Sequence, residues 1–101
     1  MEVIDVKSYA RCSQDAFMPS IAYVSPSLKV PVICLMPGQG IPPHPGAIGM
    51  FYVLEGRGTF TLGEQKIDIS VGSLIIVPSG EIRGISPSEK LLLFAVHAGV
   101  H

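Results

Sequence analysis

The chain has 101 residues, of which 48% are hydrophobic and 15% are charged, and its formal net charge is −1 at pH 7. This length suits one small domain and is too short for two hydrophobic cores, and the composition excludes a disordered chain. The Lys and Arg residues are dispersed along the sequence, so nucleic-acid binding has no electrostatic support.

Neither a membrane anchor nor a secretory signal is predicted. The longest apolar run, Leu91–Val96, is far too short to span a bilayer as a helix. Residues 1–12, MEVIDVKSYARC, lack the charged and apolar regions of a signal peptide. We expect a soluble, cytoplasmic protein with a single domain over residues 1–101.

Short segments rich in β-branched and aromatic residues, separated by Gly and Pro, predict a protein built of β-strands. Apolar and polar residues alternate through Thr59–Leu62 and Lys66–Ile69, which predicts a hairpin with one face in the core. No segment has helical spacing of apolar residues over the length of a helix, although Ser13–Phe17 has room for one turn. Many short strands with regular turns are typical of a closed barrel or jelly roll. In chain order, the predicted strands are Val3–Val6, Ile21–Val24, Leu28–Met36, Gly49–Leu54, Thr59–Leu62, Lys66–Ile69, Leu74–Val77 and Leu91–His97.

Two stretches carry Gly, Pro and His residues at characteristic spacings. Residues 37–58 read PGQGIPPHPGAIGMFYVLEGRG, and residues 72–83 read GSLIIVPSGEIR. Together they resemble the paired motifs of the cupin superfamily. The positions that keep the two motif frames are Gly38, His44, Gly56, Gly72, Pro78 and Gly80. The resemblance implies an all-β fold of the cupin type, a double-stranded β-helix or jelly-roll barrel.

Three of the four positions that usually hold metal ligands in this family carry other residues. Gly46 stands at the second His position, Gly49 at the Glu position and Arg83 at the last His position. Only His44 is retained, and the resemblance places it at the barrel mouth, pointing inward. We therefore expect no complete metal site.

The histidines decide whether a metal ion is still a candidate. A transition-metal site needs about three or four converging N, O or S donors. Strand alternation places His97 on the same face as Leu93 and Ala95, so His44 and His97 are the candidate ligands of a divalent transition metal. The alternative is that His44 is a hydrogen-bonded mouth residue and His97 a surface or rim residue. His101 ends the chain and is expected to fray.

Arg83 changes the chemistry expected at the barrel mouth. A guanidinium is permanently charged and cannot ligate a cation, so an inward-facing Arg83 favours a bound carboxylate or phosphate. The alternative is a solvated loop residue that pairs with Glu81 or Glu55.

Gly46 and Gly49 remove side-chain volume from the same region. If Gly49 takes the Glu position of the motif, Gly49 and Phe51 face the barrel interior, and Phe51 forms the wall of an apolar recess. The alternative is that Met36 or Met50 fills this space, because Met packs well into irregular gaps.

The two cysteines have neither metal-type nor redox-type spacing, and no disulfide is expected. Cys34 lies inside a predicted strand and is expected to be a small buried hydrophobic residue. Cys12 lies in a polar stretch and is expected to be a partly exposed thiol.

These observations predict a protein that binds a small anionic or polar molecule in the barrel mouth through His44, Phe51, Arg83 and His97, with no catalytic residue identified. One alternative is a metal-dependent enzyme of the oxygenase or isomerase type that uses His44 and His97. Another is a barrel without a ligand that acts as an oligomerisation module. The resemblance to small cupins also implies a homodimer, in which an N-terminal strand such as Val3–Val6 adds to the partner's sheet.

Overall fold

The chain folds into nine β-strands and one short 3-10 helix. A computed structural model describes residues 1–98, so His101 lies outside the described residues. The 3-10 helix spans Val6–Tyr9. None of the helical structure in these residues is long and apolar enough to cross a membrane. The strands are β1 (Ser20–Val24), β2 (Leu28–Leu35), β3 (Ile41–His44), β4 (Gly49–Glu55), β5 (Arg57–Leu62), β6 (Gln65–Ser70), β7 (Leu74–Val77), β8 (Arg83–Pro87) and β9 (Leu91–Ala98).

The strands form two antiparallel sheets that enclose one apolar core. The five-stranded sheet has the order β1-β2-β9-β4-β7, and the four-stranded sheet has the order β3-β8-β5-β6. This arrangement confirms the predicted all-β jelly-roll barrel. Because each sheet buries one face against the other, its strands alternate between buried and more exposed residues.

The strand β4 shows how alternation builds the core. Phe51 is buried between the sheets, as predicted, together with Val53, whereas Met50 and Tyr52 are only partly buried on the opposite face. The ring of Phe51 meets that of Phe60 on the facing sheet edge-on, with 5.0 Å between centroids. The buried residues of this inner core are Ile33, Leu35, Phe51, Val53, Phe60, Ile69, Ile75, Val77, Ile85, Leu91, Leu93 and Ala95.

The N-terminal segment covers the outer face of the five-stranded sheet. Ile4, Val6 and Ala10 pack on a second apolar cluster that includes Val32 and Leu92. The predicted strand Val3–Val6 is therefore wrong, because Ile4 and Val6 pack on the sheet through their side chains and the segment forms no strand. The helical turn considered at Ser13–Phe17 is also absent from the structure.

A disulfide between Cys12 and Cys34 bonds this segment to β2 and corrects the expectation of two free thiols. Cys34 is buried, as predicted, and Cys12 is exposed. Gln39 fastens the same region, since its amide nitrogen donates to the carbonyl of Ser13 and its amide oxygen accepts a hydrogen bond of 2.9 Å from the backbone of Met36. The Cys12–Cys34 disulfide forms because the N-terminal segment folds back over the sheet. The spacing of the cysteines in the sequence does not indicate this folding.

Strands β3 and β8 were missed by the sequence prediction, and they hold two of the predicted site residues. Pro42 and Pro43 argue against a strand because proline lacks the backbone N–H group of a sheet ladder. Strand β3 is nevertheless possible because it lies at the edge of its sheet, with β8 as its neighbour. In this pair, His44 lies opposite Arg83.

Candidate functional site

The four predicted site residues meet at one end of the barrel. In the five-stranded sheet, His97 lies directly between Lys29 on β2 and Gly49 on β4. In the facing sheet, His44 on β3 is opposite Arg83 on β8. Directly paired residues point to the same face of a sheet, so these two rows bring their side chains to the same end of the barrel interior.

A cavity of about 100 Å³ lies between the two rows. His44 is exposed at its entrance, whereas Arg83 is buried and His97 is half-buried. The barrel mouth is therefore not packed solid with side chains. A solid mouth would have favoured the hypothesis of an oligomerisation module without a ligand. The residues that line the cavity are Ile33, Ile41, His44, Phe51, Arg83, Gly84, Ile85 and His97.

Arg83 is buried and hydrogen-bonded to the backbone of two neighbouring loops. Its Nε donates to the carbonyl oxygen of Glu81 at 3.3 Å, and its Nη1 donates to the carbonyl oxygen of Ala47. The carbonyl oxygens of Gly46, Pro78 and Glu81 lie 3.0, 3.2 and 3.2 Å from its Nη2. Only 3% of Arg83 is exposed, so the alternative of a solvated loop residue is wrong.

The charge of Arg83 has no carboxylate partner among residues 1–98. The ion pairs in this part of the chain join Lys7 to Glu55 and Arg57 to Glu89, so the suggested pairing of Arg83 with Glu55 is also wrong. Burial lowers the pKa of Arg83, and the charge of Glu81 opposes this shift. Because a guanidinium stays protonated in proteins, Arg83 places a fixed positive charge at the wall of the cavity.

The two glycines at former ligand positions make room for Arg83 and His97. A Cβ atom on Gly46 would lie 3.3 Å from Cζ of Arg83, and one on Gly49 would lie 2.5 Å from Nδ1 of His97. The space left by the missing ligands is therefore occupied by a guanidinium and an imidazole. Neither Met36 nor Met50, suggested as a filler of the recess, lines the cavity.

His97 is held in a close-packed position between sheet and cavity. Its ring meets Phe51 edge-on at 5.5 Å between centroids, and its Nδ1 is buried without a hydrogen-bond partner. Burial lowers the pKa of His97, and the positive charges of Arg83, Lys29 and His44 lower it further. His97 thus faces inward, as alternation predicted, and its neutral form is favoured near neutral pH.

Lys29 was not identified as a site residue from the sequence. It lies opposite His97 in the register of β2 and β9, and no Asp or Glu of residues 1–98 forms an ion pair with it. The sequence does contain a signal for Lys29, because a lysine at an inward position of a predicted strand is unusual. What was missing is the strand register that brings it beside His97.

These donors do not match a cupin metal site. Two imidazoles line the cavity, and no group of three or more His, Cys, Asp or Glu residues in the described part of the chain is placed to hold a metal ion. The buried guanidinium of Arg83 and the nearby Lys29 would also repel a divalent cation, and neither forms an ion pair with an Asp or Glu of residues 1–98. We therefore derive no chemistry through a metal ion.

Comparison with known families agrees with this fold. A cupin-domain family model matches residues 31–95, which is more than half of the chain. A comparison with curated protein sequences finds no match.

Solved structures similar to this chain share the whole barrel. The TT1209 protein of Thermus thermophilus is 25% identical, with a TM-score of 0.88 and coverage of 97% of both chains. An RmlC-like cupin protein of Desulfovibrio desulfuricans is 20% identical, with a TM-score of 0.88 and coverage of 100% of this chain and 99% of the other. KdgF of a Halomonas species is 16% identical, with a TM-score of 0.83 and coverage of 99% and 96%. At such identities, the likeness concerns the fold.

Proposed function

The chain belongs to the cupin family, and from that premise we propose that it binds a small carboxylate or similar anion in the mouth of its barrel without a resident metal ion. The observation that carries this proposal is the excess of positive charge around the cavity. Arg83 and His97 line it, Lys29 lies beside His97, and no Asp or Glu of the described residues pairs with either cation.

The charge distribution favours an anion for a simple electrostatic reason. The fixed positive charges of Arg83 and Lys29 both lower the pKa of His97, so the two cations act on one region. A bound anion would relieve their mutual repulsion in a site where burial weakens solvent screening. The backbone hydrogen bonds of Arg83 hold its charge in place without neutralising it.

The rest of the cavity supports a small ligand with an apolar part. Phe51, Ile33, Ile41 and Ile85 supply an apolar wall beside the charged groups. The volume of about 100 Å³ is roughly that of three waters in the liquid, which restricts the enclosed part of a ligand to a few atoms. Short carboxylates such as acetate and propionate have the required charge and size.

The proposal is tested by NMR titration of the full chain with acetate and propionate. We expect saturable shifts at His97, Phe51 and Arg83, and weaker binding by roughly fivefold in Lys29→Ala, because one charge near the anion is lost. Lys90→Ala is the matched control: Lys90 is exposed before the start of β9, whereas His97 lies near the end of that strand. Equal weakening by the two variants, or no binding by the wild type, would refute the proposal.

The metal-dependent enzyme is the rival hypothesis, and metal analysis separates it from ours. Protein purified without an affinity tag should contain no stoichiometric Fe, Mn, Ni or Zn. A stoichiometric metal that is lost in His44→Ala would show that a metal site exists, and our proposal would then be wrong.

A cytoplasmic location is a further part of the proposal, and the Cys12–Cys34 bond offers its test. Disulfides are rare in the cytosol, where thiols are kept reduced. Cells are therefore lysed directly into denaturant that contains an alkylating agent, so that the buried Cys34 is accessible. Mass spectrometry should then show both cysteines modified. An intact bond in freshly lysed cells would argue against a cytoplasmic location.

A further inference from the structure

The two cavity histidines offer different hydrogen-bonding groups to a ligand. His44 Nδ1 lies 2.9 Å from the carbonyl oxygen of Pro42. A carbonyl oxygen only accepts, so Nδ1 carries the proton of this hydrogen bond. In the neutral ring, Nε2 of His44 is then a bare acceptor, and it is the ring nitrogen left for a ligand.

His97 has the opposite arrangement. Its Nδ1 is buried against Gly49 with no hydrogen-bond partner, so Nε2 is the nitrogen that a ligand can reach. A buried N–H without an acceptor is rarer in proteins than a buried acceptor without a donor, so the proton of the neutral ring belongs on Nε2. Nε2 also carries a proton when the ring is charged, and His97 therefore donates in either state.

We infer that the anion bound in this cavity is a short 2-hydroxycarboxylate. The carboxylate accepts from Nε2–H of His97, close to the charges of Arg83 and Lys29, and the hydroxyl donates to Nε2 of His44 across the cavity. A plain carboxylate has no proton to offer His44 at neutral pH. This inference rests on the proposed function and specifies its ligand class.

The size of the cavity sets where the hydroxyl lies on the ligand. About 100 Å³ holds a carboxylate and the carbons next to it, so a hydroxyl that reaches His44 from within is close to the carboxylate. The short alkyl end of the ligand then lies against Phe51 and Ile85, which line the same space. Lactate meets these requirements, and propionate is the same molecule without the hydroxyl.

The experiment compares lactate, propionate and 3-hydroxypropionate by NMR titration of the full chain at about pH 8. Burial lowers the pKa of His97, so its ring is neutral under these conditions. We expect lactate to bind roughly fivefold or more tightly than propionate, which corresponds to one added hydrogen bond. Moving the hydroxyl one carbon away, in 3-hydroxypropionate, should lose most of this gain.

Variants at His44 test whether that ring accepts a hydrogen bond from the ligand hydroxyl. In His44→Phe, lactate should bind no better than propionate, so the preference between the two ligands is lost. His44→Gln keeps an acceptor oxygen and should restore part of the preference. His44 is exposed on an edge strand, so neither variant disturbs the core.

The outcomes separate this inference from the proposed function. If propionate and lactate bind equally well, or if His44→Phe keeps the preference for lactate, the hydroxycarboxylate inference is overturned and small-anion binding stands. If none of the three carboxylates binds, both fail.

Discussion

Gly46 and Gly49 stand where the cupin resemblance implies metal ligands, and they leave room for the side chains of Arg83 and His97. At both positions a Cβ atom would approach the side chain that now occupies the space, namely Arg83 at 3.3 Å and His97 at 2.5 Å. The glycines therefore do more than remove two ligands, because they also admit the groups that define the new site. The sequence alone indicates the loss of the ligands, but the close approach depends on strand pairing.

Arg83 supplies a positive charge to the site, and it is also expected to stabilise the fold. Substitution by Lys keeps the charge but loses the planar set of donors that reaches the carbonyls of Gly46, Ala47 and Pro78. We expect Arg83→Lys to lower the free energy of unfolding by about 3 kcal/mol, as when bonds from a buried charged group are broken. Urea unfolding measures this change.

Arg57→Lys is the matched control for that substitution. The side chain of Arg57 is 71% exposed and its ion pair with Glu89 is 3.8 Å long, so its contribution is expected to be below about 0.5 kcal/mol. Equal effects at the two positions would mean that the backbone contacts of Arg83 are not stabilising.

His97 is expected to make the stability of the fold depend on pH. Burial, then the charges of Arg83, Lys29 and His44, lowers its pKa in the folded chain. As the pH falls below about 6.5, the unfolded chain binds more protons at this residue than the folded chain, so the free energy of unfolding decreases. His97→Gln should flatten this dependence between about pH 7.5 and 5.5.

Urea unfolding at several pH values checks this prediction, and His44→Gln serves as the comparison because His44 is exposed. A wild-type stability that rises on acidification in this range would contradict the sign. Bound carboxylate should reduce the slope, since an anion beside His97 favours its charged form.

At the scale of elements, the sequence predicted seven of the strands and missed the two that matter most for the site. Segments rich in apolar, β-branched and aromatic residues, such as β4 and β9, were recovered, and with them the inward direction of Phe51 and His97. Strand β3 contains two adjacent prolines, and β8 begins with a charged residue, so neither resembles a typical strand in isolation. Their pairing is a property of the closed barrel, which local patterns do not report.

The disulfide is the other element that local patterns did not reveal, and it should stabilise the fold. Cys12 and Cys34 are 22 residues apart in sequence. Closing a loop of this length restricts the unfolded chain by about 3 kcal/mol. Cys12→Ser is the suitable variant, because Cys12 is exposed and its replacement leaves the apolar cluster around Cys34 intact.

Urea unfolding with and without a thiol reductant measures this contribution. Without reductant, Cys12→Ser should be less stable than the wild type by about 3 kcal/mol, and with reductant the two proteins should be equally stable. A variant as stable as the wild type under oxidising conditions would show that the bond does not constrain the unfolded chain.

At the scale of the whole molecule, the two faces of the five-stranded sheet have different roles: one borders the cavity and the other packs against the N-terminal segment. The inner face of the five-stranded sheet carries Lys29 and His97 to the cavity, while the outer face carries the apolar cluster covered by the N-terminal segment. The net charge of −1 conceals this arrangement, in which two of the seven Lys and Arg residues, Arg83 and Lys29, lie at one end of the barrel. Overall composition therefore predicts a globular protein but not the sign of its site.

The homodimer implied by the family resemblance stays a prediction, but the structure changes how it must form. The N-terminal segment is folded on its own sheet, so it is not free to add to a partner as a strand. Strand β7 ends the five-stranded sheet, and its residues Leu74 and Ile76 are 53% and 58% exposed. An apolar edge strand of this kind favours pairing with a second copy, because its backbone hydrogen-bonding groups are also unpaired on one side.

Light scattering after gel filtration measures this assembly. The wild type should have about twice the 10.7 kDa mass of one chain, and Ile76→Lys should have the mass of one chain. Ile67→Lys, on the other sheet, is the control and should stay dimeric. A monomeric wild type, or a dimer that survives Ile76→Lys, would contradict this mode of assembly.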